Sequence, residues 1–159
     1  GGNMTVDYLG VYGVCLKDNR VLCIKKTKGP YKNRYDLPGG SQKLKEGFTE
    51  TLLREYLEET GYLVNSYNNC RVYDVFVEEE ERTVRHMMVF YDVEIETYQS
   101  KEIQTFLGDE KNDSAGVYWL DISELNITNA SPLLLKLKQE IMNDDNLLEK
   151  TEYKSWKIL

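Results

Sequence analysis

The stretch from Phe48 to Gly61 constrains this chain more than any other. It runs Phe-Thr-Glu-Thr-Leu-Leu-Arg-Glu-Tyr-Leu-Glu-Glu-Thr-Gly, with no proline and with its one glycine last. The spacing predicts a helix over 48–60, closed by Gly61 as a C-cap. At about 100° per residue, Glu55, Glu58 and Glu59 fall within roughly 100° of arc, while Leu53, Tyr56, Leu57 and Thr60 fall on the other side. Such a helix has to lie between an apolar core and an open cleft. Like charges three and four residues apart repel by a few tenths of a kcal/mol per pair, and Arg54, four residues before Glu58, offsets only part of that. Clustered carboxylate oxygens suit a hard divalent cation such as Mg²⁺. A solvated acidic face would carry the same triplet, so the neighbouring residues have to decide between the two.

The remaining pattern is that of one α/β domain with a mixed sheet and at least two helices. Tyr8 to Leu16 and Arg20 to Lys26 are rich in Val, Leu, Tyr and Cys, and read as strands joined by a turn at Asp18-Asn19. Gly29-Pro30 opens a loop, and Pro38-Gly39-Gly40 marks a sharp turn. Val72 to Val77 and Val84 to Ile95 read as two more strands. The acidic run Glu78 to Glu81 between them reads as a solvated hairpin tip. Glu96 to Gly116 is polar and loop-like, and Val117 to Leu120 reads as a short strand. Ser131-Pro132 starts a second helix with Leu133, Leu134, Leu137 and Ile141 on one face. Gly1, Gly2 and Asn3 read as a remnant of expression, leaving 4–159 as the expected domain.

Charge narrows the partners. Across 159 residues the net charge is −7, which argues against long nucleic acid, since such a ligand needs a basic face. A small phosphorylated ligand remains possible where local cations or a metal overcome that field. No apolar run reaches the roughly 20 residues of a membrane span. The three cysteines, Cys15, Cys23 and Cys70, form no CxxC pair, so we expect free thiols and a cytoplasmic setting. Nothing in the pattern fixes an oligomeric state.

Gly40, Glu46, Arg54-Glu55-Tyr56-Leu57-Glu58-Glu59 and Gly61-Tyr62 stand at the spacing G-x5-E-x7-R-E-U-x-E-E-x-G-U, U being a bulky apolar residue. At background frequencies of about 5–7% per residue type, seven fixed matches by chance are far rarer than one in a million. This segment, with Pro38-Gly39 before it, resembles the box of the Nudix hydrolase superfamily. Both U positions are Tyr, whose hydroxyls need partners or an exit to solvent. Asp36 stands before Leu37, where aromatic residues are frequent in the family.

The resemblance implies a Nudix-like α/β/α sandwich around a mixed β-sheet. It implies a Mg²⁺-dependent pyrophosphohydrolase, with Mn²⁺ as a possible substitute, that cleaves a diphosphate linkage in a small nucleotide. Glu55, Glu58 and Glu59, with the Gly39 carbonyl, are the implied metal ligands. Gly40, Glu46, Arg54 and Gly61 are the implied structural positions, Glu46 holding Arg54. Glu55 is the first choice of base, and a loop acid, Asp113 or alternatively Glu110, is the second. Lys25, Lys26 and Arg34 are candidates for substrate phosphates. Tyr12, Tyr35 and Tyr73 are candidates for stacking on a base, and His86 reads as a packed strand residue. The marks of several substrate groups are missing: no proline lies between Pro38 and Pro132, and Glu79 falls where dinucleoside-polyphosphate enzymes carry tyrosine. Elimination leaves a nucleoside triphosphate or a related nucleoside diphosphate derivative. The alternative on the same fold is a non-catalytic nucleotide-binding regulatory module. Such modules typically lose a box glutamate, and all are kept here.

Overall fold

The computed structural model describes residues 4–96 and 114–159. Its strands are β1 (Met4–Val14), β2 (Leu16–Lys17), β3 (Arg20–Lys26), β4 (Tyr35–Asp36), β5 (Gly39–Gly40), β6 (Val64–Glu78), β7 (Arg82–Ile95), β8 (Ser114–Asp121) and β9 (Glu152–Tyr153). The helices are α1 (Phe48–Thr60) and α2 (Pro132–Ile141), and a 3₁₀ turn spans Ile122–Glu124. One sheet runs β5-β1-β7-β6-β9, and a second joins β2, β3 and β4, with β8 on β3. β1 is parallel to β7, while β5–β1 and β6–β7 are antiparallel, so the sheet is mixed.

Strand alternation divides the core into two layers. Tyr12, Val14, Val21, Cys23, Met88 and Phe90 face one side, where Leu133, Leu134 and Leu137 of α2 pack. Val11, Leu22, Val89, Tyr91 and Val93 face the other, against Leu52 and Tyr56 of α1. Helices on both faces explain why Gly10 to Cys15 is buried at every position, since a strand covered twice has no polar side to show. This is the α/β/α sandwich.

Local chemistry sets the element ends. The Glu50 carboxylate accepts from the Gly47 N–H at 3.0 Å at the start of α1. Gly61, at φ +79°, ends the helix by donating its N–H to the Leu57 carbonyl at 2.8 Å. Ser131 caps α2, accepting from the Leu134 N–H at 3.3 Å. Asp18 and Asn19 both take positive φ in the β2–β3 turn, as a tight hairpin of this hand requires.

Two expectations change. α1 is rotated from its expected phase: Leu53 is 40% exposed, while Leu52, Tyr56, Glu59 and Thr60 are buried. Leu52 and Tyr56 form the contact stripe with the sheet, which draws Glu59 inward. β6 begins at Val64 rather than Val72, because backbone pairing with β7 carries the polar segment Asn65 to Arg71 as strand, with register shifts near Val64 and between Asn68 and Arg71. Most of the expected loop from Glu96 to Gly116, with Glu110 and Asp113, lies outside the described residues.

Candidate active site

The turn and helix of the box are tied by one ion pair with several branches. Arg54 donates through Nε to Glu46 Oε2 at 2.6 Å and through Nη2 to Glu46 Oε1 at 2.8 Å. This fork-on-carboxylate geometry is the strong form of the pair. Glu46 also accepts from the Lys43 N–H and the Thr51 hydroxyl. Arg54, first among these contacts, holds the Glu46 carboxyl down at about 2. The same guanidinium reaches the Ser41 carbonyl at 3.1 Å, Glu55 at 2.8 Å and Glu58 at 3.3 Å. One cation thus joins the loop after Gly40 to the acidic face of α1.

Gly39 and Gly40 pair with Tyr12 and Val11 of β1. Gly39 sits at φ +153°, and a Cβ there would come within 2.1 Å of the Val11 carbonyl oxygen. A Cβ on Gly40 would stand 2.6 Å from the carboxyl carbon of Glu55. The missing side chain is therefore what lets Glu55 press against the turn. Burial raises the Glu55 pKa, and Arg54 works against that rise. Glu59 is buried beside the core stripe, and the Glu58 side chain is 43% exposed. Among the described residues no three His, Cys, Asp or Glu side chains are gathered as a metal shell. Arg54 occupies Glu55 and Glu58 instead, so a cation at this face competes with Arg54. The donor set itself, carboxylates and backbone carbonyls, is hard oxygen of the kind Mg²⁺ takes.

On the other side of the Gly39–Gly40 turn lies a cavity of about 330 Å³. Its walls include Tyr8, Tyr12, Lys26, Tyr31, Asp36 and His86. The parallel register sets Tyr8 beside His86, and the two rings meet edge-on at 5.0 Å. Asp36 is buried, and its Oδ1 accepts from the Leu37 N–H at 2.8 Å and the Ser131 hydroxyl at 2.7 Å. Burial pushes its pKa up to about 6, with Lys26 and these hydrogen bonds pulling the other way.

Other sequence candidates fall elsewhere. Lys25 lies over the Tyr35 ring at 5.5 Å, and Tyr35 packs edge-on with Tyr118. Neither lines the cavity, because alternation along β3 sends Lys26 there and Lys25 to the opposite face. Arg34 is a structural cation: it is 3% exposed, donates to the Ile127 and Lys157 carbonyls, and lies 4.1 Å above the Trp156 ring. Tyr73 donates to Glu140 and packs on Phe90. The cavity also takes in Tyr8, which the β1–β7 register sets beside His86, and Lys28 and Tyr31, which the loop after β3 brings in, and sequence spacing carries neither signal.

A mixed sheet covered by helices on both faces, with a glycine turn pressed against a carboxylate-bearing helix and a cavity beside it, defines a class of α/β/α domains. Within that class, a model of the NUDIX domain matches residues 6–141, and this chain belongs to the Nudix family. It is 40% identical over 55 residues to an ADP-ribose pyrophosphatase of Methanocaldococcus jannaschii, a match covering 35% of this chain and 32% of that protein. The chain thus spans about a third of that curated relative. Its fold is similar to a MutT Nudix hydrolase from Burkholderia pseudomallei, with a TM-score of 0.65 and 16% identity over 85% of this chain and 98% of that one. It is also similar to a MutT protein from Bacillus halodurans, with a TM-score of 0.63 and 18% identity over 96% and 94%. A third neighbour is the bifunctional NMN adenylyltransferase/ADP-ribose pyrophosphatase of Francisella tularensis, in complex with AMP and a manganese ion. There the TM-score is 0.56 at 15% identity, over 87% of this chain and 42% of that one. No helix among the described residues is long and apolar enough to cross a membrane.

Proposed function

We propose that this chain hydrolyses a diphosphate linkage in a small nucleotide, a nucleoside triphosphate or another nucleoside diphosphate derivative, with Mg²⁺ or Mn²⁺ as cofactor. The observation that carries this reading is Glu55 pressed against Gly40, with the cavity opening beyond the same turn. Glu55, Glu58, Glu59 and the Gly39 carbonyl would hold the metal. When bound, Mg²⁺ draws charge from the phosphate oxygens and acidifies the attacking water. Glu55 is the first choice to take the proton from that water. Arg54 fixes Glu55 and Glu58 on one face, where a bound cation would compete with it for them. The nucleoside end enters the cavity, where Lys26 and Lys28 draw the adjoining phosphate toward the turn. Asp113 is the second candidate for the base. Three free cysteines, two of them buried, fit the cytoplasmic setting we propose with this activity.

The test is a product screen of purified protein with Mg²⁺ or Mn²⁺ against nucleoside triphosphates, nucleotide sugars, dinucleotides and ADP-ribose. ADP-ribose is included because the partial relative is named for it. Glu59→Gln is assayed beside it for rate and for nucleotide binding. Binding is expected to survive in part while kcat falls about a hundredfold or more, several kcal/mol of barrier. Full turnover in excess EDTA, or near-normal kcat in the variant, would remove the metal mechanism, and no product from any of these substrates would remove the substrate reading.

A further inference from the structure

The cavity wall carries three side chains that the hydrolytic chemistry leaves unused. His86 is the chain's single histidine. Its Nε2 lies 2.8 Å from the Tyr12 hydroxyl and its Nδ1 lies 2.8 Å from the Tyr31 hydroxyl. All three residues are more than nine-tenths buried, and all three line the cavity. Gly10 makes room for the first bond, since a Cβ there would stand 2.2 Å from the Tyr12 hydroxyl oxygen. Trp156 steadies the second. Its indole N–H donates to the Pro30 carbonyl at 2.8 Å, and its ring meets Tyr31 edge-on at 5.9 Å.

Imidazole chemistry limits what these hydroxyls can offer. Burial holds His86 down at about 3, with Lys26 adding to the effect, and a phenol keeps its proton at neutral pH. The ring is therefore neutral and both phenols keep their protons. A neutral imidazole has one N–H and one lone pair. One tyrosine accepts from the ring and has its own O–H left to give. The other donates into the ring and has only lone pairs left. The two roles exchange together when the ring changes tautomer.

Resting on the reading that a nucleoside end enters this cavity, we propose that the Tyr12–His86–Tyr31 array recognises the nucleobase, presenting one hydroxyl donor and one hydroxyl acceptor, in either order, to the adjacent donor and acceptor on its edge. Tyr8, 41% exposed and edge-on to His86, supplies an aromatic surface for the ring itself. The array brings no cation of its own, so phosphate groups are left to the Gly39–Gly40 end.

The experiment is metal-free binding of AMP, GMP, CMP, UMP and ribose 5-phosphate, followed through the ring nitrogen resonances of the sole histidine. The four nucleotides are expected to shift those resonances, and ribose 5-phosphate is not. Tyr12→Phe and Tyr31→Phe each remove one hydroxyl and keep the ring. Each is expected to weaken binding of the four nucleotides by about tenfold or more, as loss of a partner for a buried polar edge does. Affinity for ribose 5-phosphate stays as it was. Unmoved His86 nitrogens in the wild-type protein with all four nucleotides would overturn the proposal, and that readout needs no variant to fold. An equal loss for all five probes would overturn it too. Nucleotide binding that moves the His86 nitrogens in a protein that fails the hydrolysis screen would remove the hydrolase reading and leave this one standing; hydrolysis with nucleotide affinity unchanged in both variants would do the reverse.

Discussion

Asp36 places a carboxyl in the interior, and Asp36→Asn isolates the cost of its charge. The residue is 4% exposed, and its Oδ1 accepts both of its hydrogen bonds, from the Leu37 N–H and the Ser131 hydroxyl. An asparagine amide oxygen can take the same place and keep both bonds, so the change removes the charge and little else. Burial raises the carboxyl from its ordinary 3.8 to about 6. A rise of about 2 units corresponds to about 3 kcal/mol at 1.36 kcal/mol per unit. The folded state binds this proton more tightly than the unfolded chain, so this carboxyl's contribution falls as pH rises from about 4 to about 6. Below that window both proteins carry a neutral group there; above it the wild type bears the full cost. Asp36→Asn is therefore expected to be more stable at neutral pH by up to about 3 kcal/mol, a Tm raised by roughly 6–12 °C for a chain of this length. The gain should shrink to nothing near pH 4. Thermal melts of both proteins across that range measure it. A difference that does not vary with pH would refute the argument, and would mean that Lys26 and the two hydrogen bonds fully offset the burial of the charge.

Arg54→Ala is expected to lower Tm and activity together, because one guanidinium holds Glu46, Glu55, Glu58 and the Ser41 carbonyl; an unchanged melt with unchanged turnover would dismiss this hub. Glu46, held at about 2, adds stability above its ordinary 4.5 and loses it as pH falls through that interval, so Glu46→Gln should flatten the acid limb of denaturant melts. Gly39→Ala should destabilise by a few kcal/mol or prevent folding, since its Cβ meets backbone at a φ that L-residues rarely adopt. Gly40→Ala meets the Glu55 carboxyl first, the end of a flexible side chain, and should fold with impaired turnover; the reverse ranking of the two variants, read by melting and assay, would contradict the geometry.

The parts legible in the sequence are those whose signals are local. The span of α1 and its Gly61 cap, the Asp18-Asn19 turn and the Ser131-Pro132 start of α2 each depend on a few adjacent residues and on backbone preference. The spacing of Glu46, Arg54 and the three glutamates is likewise a property of one turn and one helix. Tertiary structure decided what depends on register and facing. Which of Lys25 and Lys26 enters the cavity follows from the pairing of β3, where a slip of one residue would exchange them. The rotation of α1, with Leu53 outside and Glu59 inside, follows from the sheet it packs on rather than from its own periodicity. Arg34 is claimed by carbonyls 93 and 123 residues away. The Tyr12–His86–Tyr31 array exists only because parallel β1 and β7 set His86 opposite Tyr8, within reach of the Tyr12 hydroxyl four residues along β1. Local sequence records what the backbone prefers, and contacts between distant segments are fixed only when burial of both sheet faces selects one register.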